Sequence, residues 1–344
     1  MSPANVWRWT AAPAPSDPGP HITMYSELAE RSHATSAESA RQGQGGEDSG
    51  PGLLGGITSV VLAGGGNRCW WQAGVWDVLA SEGLAPKRVA GVSAGAATAC
   101  MLLADKTQES LAYYSRITAQ NPRNLYPERL LRGERAFPHA QMYREALLTL
   151  LDAQALAVLR DKPPIFVQVA RLPPWLGARS GVLAGILAYQ FDKKVRKLLH
   201  PRAGRGLGFQ PEVFVVQDCP TPEALADLIL ASSCTPPFTP VMRLHGWLVL
   251  DGGMVDNVPV GALPEQSRDG VTLVLLTRRY PRTLPHSPQR LYLQPSRRVP
   301  VSGWDYTNPH GIRAAYDLGR SDAAELLERI AGRNLSTYLE NPHV

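Results

Sequence analysis

The chain has 344 residues, 44% of them hydrophobic and 19% charged, with a formal net charge of +5 and a pI near 9.1. That length allows one large domain or two ordinary ones with a substantial core, and the composition excludes a fibrous or wholly disordered chain. The mild basic balance suits an anionic membrane surface, but no Lys/Arg run with interleaved aromatics points to nucleic acid.

Residues 1–52 are polar, with Ser, Gly, Pro, Gln and Glu dominating the stretch from His33 to Gly52. They offer too little apolar surface to offset ordering entropy, so a disordered leader is expected there. They lack a basic stretch followed by an apolar one, as a cleavable signal peptide needs. Met24 is an alternative start of translation. The domain proper is expected over 53–334, followed by a C-terminal tail at 335–344.

The β-branched apolar run Ile57–Leu62 reads as a buried strand closed by Gly64, Gly65 and Gly66. Gln72–Glu82 follows with helical periodicity. A second short strand, Arg88–Val92, runs into Ser93, and the small apolar stretch Ala94–Ala104 reads as a buried helix. Strand-helix-strand-helix order implies a parallel sheet covered on both faces, so the expected fold is α/β, a three-layer α/β/α sandwich with a mainly parallel central sheet. Further strands are expected at Ile165–Ala170, Val213–Val216, Trp247–Leu250 and Val271–Leu276. Helices are expected at Ala140–Arg160, Pro222–Ala231 and Arg313–Ile330. No apolar stretch approaches the ~18 residues that span a bilayer.

Three motifs carry chemistry. Gly91-Val92-Ser93-Ala94-Gly95 has the G-x-S-x-G form of a nucleophile elbow, in which Gly91 and Gly95 leave space for a sharp strand-to-helix turn. The amides at the start of the following helix would favour developing negative charge. Gly64-Gly65-Gly66-Asn67-Arg68 matches neither a P-loop nor a dinucleotide fingerprint. Its glycines let backbone amides converge on a single oxygen, as a tetrahedral acyl-transfer intermediate requires. Asp251-Gly252-Gly253 closes the apolar run Trp247–Leu250; in isolation it is an ordinary turn signal. A Ser-His-Asp hydrolase of the α/β type would place a histidine base after its acid. His245 and His310 follow Ser93, but His245 falls in an expected hairpin and His310 in a polar loop.

Taken in this order, the motifs resemble the patatin-like phospholipases from about Ile57 to about Leu327. The resemblance implies a Ser-Asp dyad of Ser93 and Asp251, with Asp256 as the nearest competitor for the base. It implies an oxyanion loop of Gly64, Gly65, Gly66, Asn67 and Arg68, and supporting roles for Gly252, Gly253 and Asn257. Cys69 departs from the family pattern, which has glycine there. Arg68 either braces the loop or attracts a lipid phosphate. A carboxylate is a feeble base in water, so the dyad requires partial desolvation.

The implied activity is a metal-independent lipid acyl hydrolase of phospholipase A or lysophospholipase type. A lipid transacylase using the same dyad, or a catalytically silent membrane-docking protein, are the alternatives. No cofactor is expected. Cys69, Cys100, Cys219 and Cys234 are widely spaced, without metal-ligand or disulfide-framework pattern, which suits a reducing, cytoplasmic setting. Residues 173–210 are an insert relative to a compact family member. Leu183, Ile186, Leu187, Phe191, Val195, Leu198 and Leu199 recur there at roughly helical spacing beside Lys193, Lys194, Arg196 and Lys197. They read either as a packed flap or as a lid making peripheral membrane contact.

Overall fold

The computed structural model describes residues 53–173, 175, 199, 203–265, 269–281, 283–331 and 335–340. The leader (1–52), the last four residues of the expected tail and nearly all of the stretch of expected helical spacing in the insert, with its four cations, lie outside them. Strands β1 (Ile57–Leu62), β2 (Arg88–Val92), β3 (Ile165–Arg171), β4 (Gln210–Val215), β5 (Met242–Leu244), β6 (Trp247–Asp251), β7 (Val271–Leu275) and β8 (Arg290–Leu293) form one sheet. Its order is β5-β6-β3-β2-β1-β7-β8, with β4 paired to β3 off that path. The run β3-β2-β1-β7-β8 is parallel throughout; β4 and β6 pair antiparallel with β3, and β5 pairs antiparallel with β6. The expected α/β class with a mainly parallel sheet is therefore what the chain adopts.

The helices are α1 (Trp70–Ser81), α2 (Ala94–Leu103), α3 (Thr107–Ala119), α4 (His139–Leu150), α5 (Ala153–Arg160), the short α6 (Ala203–Gly206), α7 (Pro222–Ser232), α8 (Pro309–Ala331) and α9 (Leu335–Glu340). The single helix expected over Ala140–Arg160 is two. Asp152 adopts extended backbone and its carboxylate accepts from the Ala155 amide at 2.8 Å, so it caps a new helix instead of continuing the old one. Residues 335–340, placed in the expected tail, form α9, with Leu335, Tyr338 and Leu339 buried in the main core.

Strand residues alternate between two unequal covering layers. Val60, Leu62, Val89, Leu273 and Leu275 face the large core shared with α1, α2, α3, α4, α5, α7 and α8. Val61, Ala90 and Val274 face a smaller cluster with Val258, Ala262 and Tyr280. The Trp71 indole donates to Asp322 Oδ2 at 2.7 Å and pins α1 against α8. The insert joins β3 to β4 where Arg171 pairs with Gln210, so both its ends leave the sheet at one level.

Candidate active site

The sheet register brings the three motifs together. One edge of β3 pairs along its length with β4, from Phe166↔Val215 to Arg171↔Gln210. The other edge is shared: β2 pairs as far as Val92↔Gln168, and β6 begins at Val169↔Asp251, running the opposite way. Two strands thus meet at their C-terminal ends on consecutive residues of a third. Ser93 follows one end and Asp251 forms the other, and Ser93 Oγ donates to Asp251 Oδ2 at 2.8 Å.

Ser93 has φ 55 and ψ −133, a backbone state that a β-carbon makes costly. The turn stays sharp because nothing but hydrogen fits beside it. A Cβ on Gly91 would stand 2.7 Å from Ala96 Cα, and one on Gly95 would stand 2.5 Å from Leu62 O. The Ser93 amide donates to Ser232 Oγ at 2.8 Å, and that hydroxyl donates to Gln168 O at 2.7 Å. The serine itself is almost wholly buried, 9% exposed, at the N-terminus of α2.

Asp251 sits in relaxed backbone, φ −48 and ψ 123. Its Oδ1 accepts from the Gly253 amide at 2.7 Å, and Oδ2 also accepts from Thr235 Oγ1 at 3.2 Å. Gly252 passes over β3 so closely that a Cβ would stand 2.2 Å from Gln168 O. The Gln168 side-chain amide donates to the carbonyls of Gly252 and Asp256, at 3.1 and 2.8 Å, and holds the turn from below. Asp256 is used within that same turn, its Oδ1 accepting from the Val258 amide at 3.0 Å.

The glycine loop lies over Ser93 and is tied to the aspartate turn. The Gly64 amide donates to Asn257 O at 3.1 Å, and Asn257 Nδ2 donates back to Gly64 O at 3.1 Å. Thr277 Oγ1 donates to the same carbonyl at 2.8 Å. Gly66 has φ +58 and abuts Gly303 O, where a Cβ would come within 2.1 Å. Arg68 Nε donates to Gly65 O at 3.2 Å, the bracing geometry. Asn67 Nδ2 donates to Asp305 O at 2.6 Å, and the Asn67 amide donates to Gly303 O at 3.1 Å. For the Gly65 and Gly66 amides, no acceptor is found among the described residues.

Behind Ser93 lies a mainly apolar cavity of about 60 Å³. Its walls include Ala73, Ala97, Met101, Leu102, Tyr114 and Trp304. It also contains His139, a histidine that sequence reasoning did not weigh. His139 Nε2 lies 2.9 Å from Trp304 O, so that nitrogen carries the proton and donates; Nδ1 is buried without a partner among the described residues. Burial pushes this imidazole below its usual range, opposed by the Trp304 carbonyl, and keeps it neutral. His245 stands exposed in the turn of the β5–β6 hairpin, with φ 49 followed by Gly246 at φ 83, and His310 is exposed in the first turn of α8.

Ser232, Thr235, Gln168 and Thr277 also escaped the sequence reading. Only Gln168 left a signal there, as the lone polar residue in the buried strand Ile165-Phe166-Val167-Gln168-Val169-Ala170. No group of three His, Cys, Asp or Glu side chains suited to a metal ion occurs among the described residues. Likewise, no described helix is long and apolar enough to cross a membrane.

A family model, that of the patatin-like phospholipases, matches residues 60–264, more than half of the chain. The span holds the glycine loop, Ser93 and Asp251. Among solved structures, the chain is similar to VipD from Legionella pneumophila, at 14% identity and a TM-score of 0.40, over 79% of this chain and 67% of that one. It is also similar to human GIVD cytosolic phospholipase A2, at 12% identity and a TM-score of 0.40, over 83% of this chain and 63% of that one. No curated protein sequence matches the chain.

Proposed function

The chain belongs to the patatin-like phospholipase family, and from that premise we propose a lipid acyl hydrolase working through a Ser93-Asp251 dyad. Ser93 Oγ attacks the carbonyl carbon of a lipid ester while Asp251 takes the hydroxyl proton. The carbonyl π electrons move onto oxygen, which the amides of Gly65 and Gly66 and the N-terminus of α2 stabilise. Collapse of the intermediate breaks the ester C–O bond, and the departing alcohol receives the proton from Asp251. Water then attacks the acyl-enzyme, passes a proton to Asp251, and the fatty acid leaves as Ser93 regains its hydrogen. The acyl carbons next to the carbonyl enter the apolar cavity lined by Ala73, Met101 and Tyr114, which at about 60 Å³ holds only the first few of them.

The observation that carries this reading is the 2.8 Å hydrogen bond from Ser93 to Asp251 at the meeting ends of β2 and β6. Every step is assigned to protein groups, so metal independence belongs to the same proposal. Hydrolysis of a soluble ester is expected at full rate in excess chelator, and a calcium requirement there would overturn that part. The test of the whole is labelling with a fluorophosphonate, followed by mapping of the modified residue and analysis of the products from a phospholipid. Modification at Ser93, absent in Ser93→Ala, with release of free fatty acid is expected. Modification elsewhere, or none in a folded chain that hydrolyses no ester, would overturn the reading. Acyl transfer to an added alcohol in preference to water would replace hydrolysis by transacylation.

A further inference from the structure

The wall that covers the glycine loop extends into an exposed apolar tip. Residues 303–306 touch the loop through Gly303 O and Asp305 O, which accept from the Asn67 amide and side chain. From the other side the same residues are held by 121–126. Asn121 Nδ2 donates to Tyr306 O at 2.8 Å, the Tyr306 amide donates to Asn124 Oδ1 at 2.8 Å, and Asn124 Nδ2 donates to Asp305 Oδ1 at 3.2 Å. Burial alone would raise the Asp305 carboxyl, but hydrogen bonds from Thr307, Asn124 and Asn308 together hold it below the usual range, so it remains an ionised acceptor. Trp304 and Tyr306 of this wall line the cavity beside Ser93.

Beyond this tether the chain forms a closed projection. The Tyr126 amide donates to Ala136 O at 2.8 Å across its base, a 3-10 turn runs over Pro127–Arg132, and Gly133 at φ +71 ends it. At its tip Leu131 is 91% exposed and Leu130 63%, and Leu125 below them is 45% exposed. A single exposed leucine needs no explanation, but three within seven residues on a held segment form a patch. Arginines share the segment: Arg123 and Arg129 both lie over the Tyr126 ring, at 4.8 and 4.6 Å from its centroid, and Arg132 and Arg135 are exposed. Four arginines stand against Glu128 and Glu134, and Arg123 pairs with Glu128 at 2.7 Å.

We propose that residues 121–136 are an interfacial anchor that inserts Leu130 and Leu131 into an anionic lipid surface while the arginine collar meets its headgroup phosphates. The apolar tip with a cationic rim is complementary to that boundary, where hydrocarbon lies a few ångströms below negative charge. Docking there sets the 303–306 wall, and through it the mouth of the Ser93 cavity, against the lipid from which substrate is drawn. The anchor is separate from the 173–210 insert. It rests on the lipid-hydrolase reading for its purpose, though not for its measurement.

The experiment uses the full chain in a Ser93→Ala background, so that vesicles stay intact, and co-sedimentation at two salt concentrations. Vesicles are phosphatidylcholine alone or mixed with phosphatidylglycerol. Leu130→Ser with Leu131→Ser is expected to lower partitioning to both by about tenfold or more. Arg129→Gln with Arg132→Gln is expected to remove the preference for the anionic mixture and its salt sensitivity, leaving the weaker neutral binding. With Ser93 restored, the double-leucine variant should hydrolyse a soluble short-chain ester at the parental kcat/KM and keep the parental Tm, since both leucines are exposed. Unchanged partitioning of the leucine variant would overturn the anchor. So would parental self-association in sedimentation velocity that the same variant abolishes, which would make the patch a contact between copies. A parent that binds vesicles through the leucines but neither hydrolyses ester nor takes up the fluorophosphonate would sink the functional reading and leave the anchor standing.

Discussion

Strands β2 and β6 each end in one side chain of the candidate dyad, and the two ends are built in opposite ways. Ser93 is held in a strained turn, φ 55 and ψ −133, by groups from elsewhere: its amide donates a hydrogen bond to Ser232 Oγ, which in turn donates to Gln168 O. Asp251 is relaxed, and its own carboxylate closes its own turn on the Gly253 amide. The strained backbone at Ser93 is therefore imposed by its neighbours, whereas the Asp251 turn needs no strain: its own carboxylate closes it, and Gln168 and Cys234 O support it from outside. Strain of this kind persists only when surrounding structure over-determines it, so damage to the neighbours should tell more at the serine than at the aspartate.

The largest effect should erase the difference between the two ends. Ser93→Ala and Asp251→Asn are each expected to lower kcat/KM on a soluble ester by about 10³ or more, and the double variant should be little worse than either. Steady-state kinetics with titrated active sites would show this. Retention of more than about a tenth of the activity in Asp251→Asn, combined with loss in His139→Gln, would move the base to the histidine. The next effect is on folding. Gly252→Ala would drive a Cβ to 2.2 Å from Gln168 O and Gly91→Ala one to 2.7 Å from Ala96 Cα. Each should cost about 2–4 kcal/mol in urea unfolding, with Gly252→Ala the worse because its obstacle is closer.

Smaller substitutions test the asymmetry directly. Ser232→Ala leaves the buried Ser93 amide without its acceptor, at about 1–3 kcal/mol, and kcat should fall about tenfold as the elbow relaxes. Thr235→Val removes a 3.2 Å bond to Asp251 Oδ2 but leaves the bond to Gly253 in place, so kcat should change by less than about threefold. Equal losses in the two variants, measured beside their Tm values, would mean that both ends depend on their neighbours alike.

The same contrast explains what could be read in the chain beforehand. The elbow announces itself because Gly91 and Gly95 are the only residues its sterics admit, and Gly66 is fixed likewise by φ +58. The Asp251 turn needs no unusual backbone, so Asp251-Gly252-Gly253 is by itself an ordinary turn signal, set apart only by the family resemblance. Strands β1 and β2 are legible to the residue, β1 as a β-branched apolar run closed by glycines and β2 as the short stretch that runs into the Gly91-Val92-Ser93-Ala94-Gly95 elbow. The break at Asp152 was not, because leucines on both sides continue a helical period and the cap outweighs it only locally. The polar braces were harder still. Ser232 and Thr235 are ordinary residues at the end of α7, and their partners lie 139 and 16 positions away, set by register and not by local pattern.

The smallest expected effect concerns Cys69, where the family pattern has glycine. Position 69 has φ −66 and ψ −14, right-handed helical backbone open to any residue, so the glycine is dispensable there as it is not at Gly66. The side chain is buried and Sγ donates to Ala63 O at 3.7 Å, beneath the loop and on the cavity's wall. Burial pushes the thiol up to about 12, against the opposing pull of Arg68. At pH 8 the thiol therefore stays protonated, and the thiolate is the reactive form. Iodoacetamide at pH 8 should therefore leave native activity unchanged and modify Cys69 only in denaturant, as peptide mapping would show. Inactivation that tracks alkylation of Cys69 in the native chain would mean that the glycine loop opens in solution. The loop would then belong with the strained elbow, dependent on neighbours that can let go, its bonds with Asn257 and Thr277 among them.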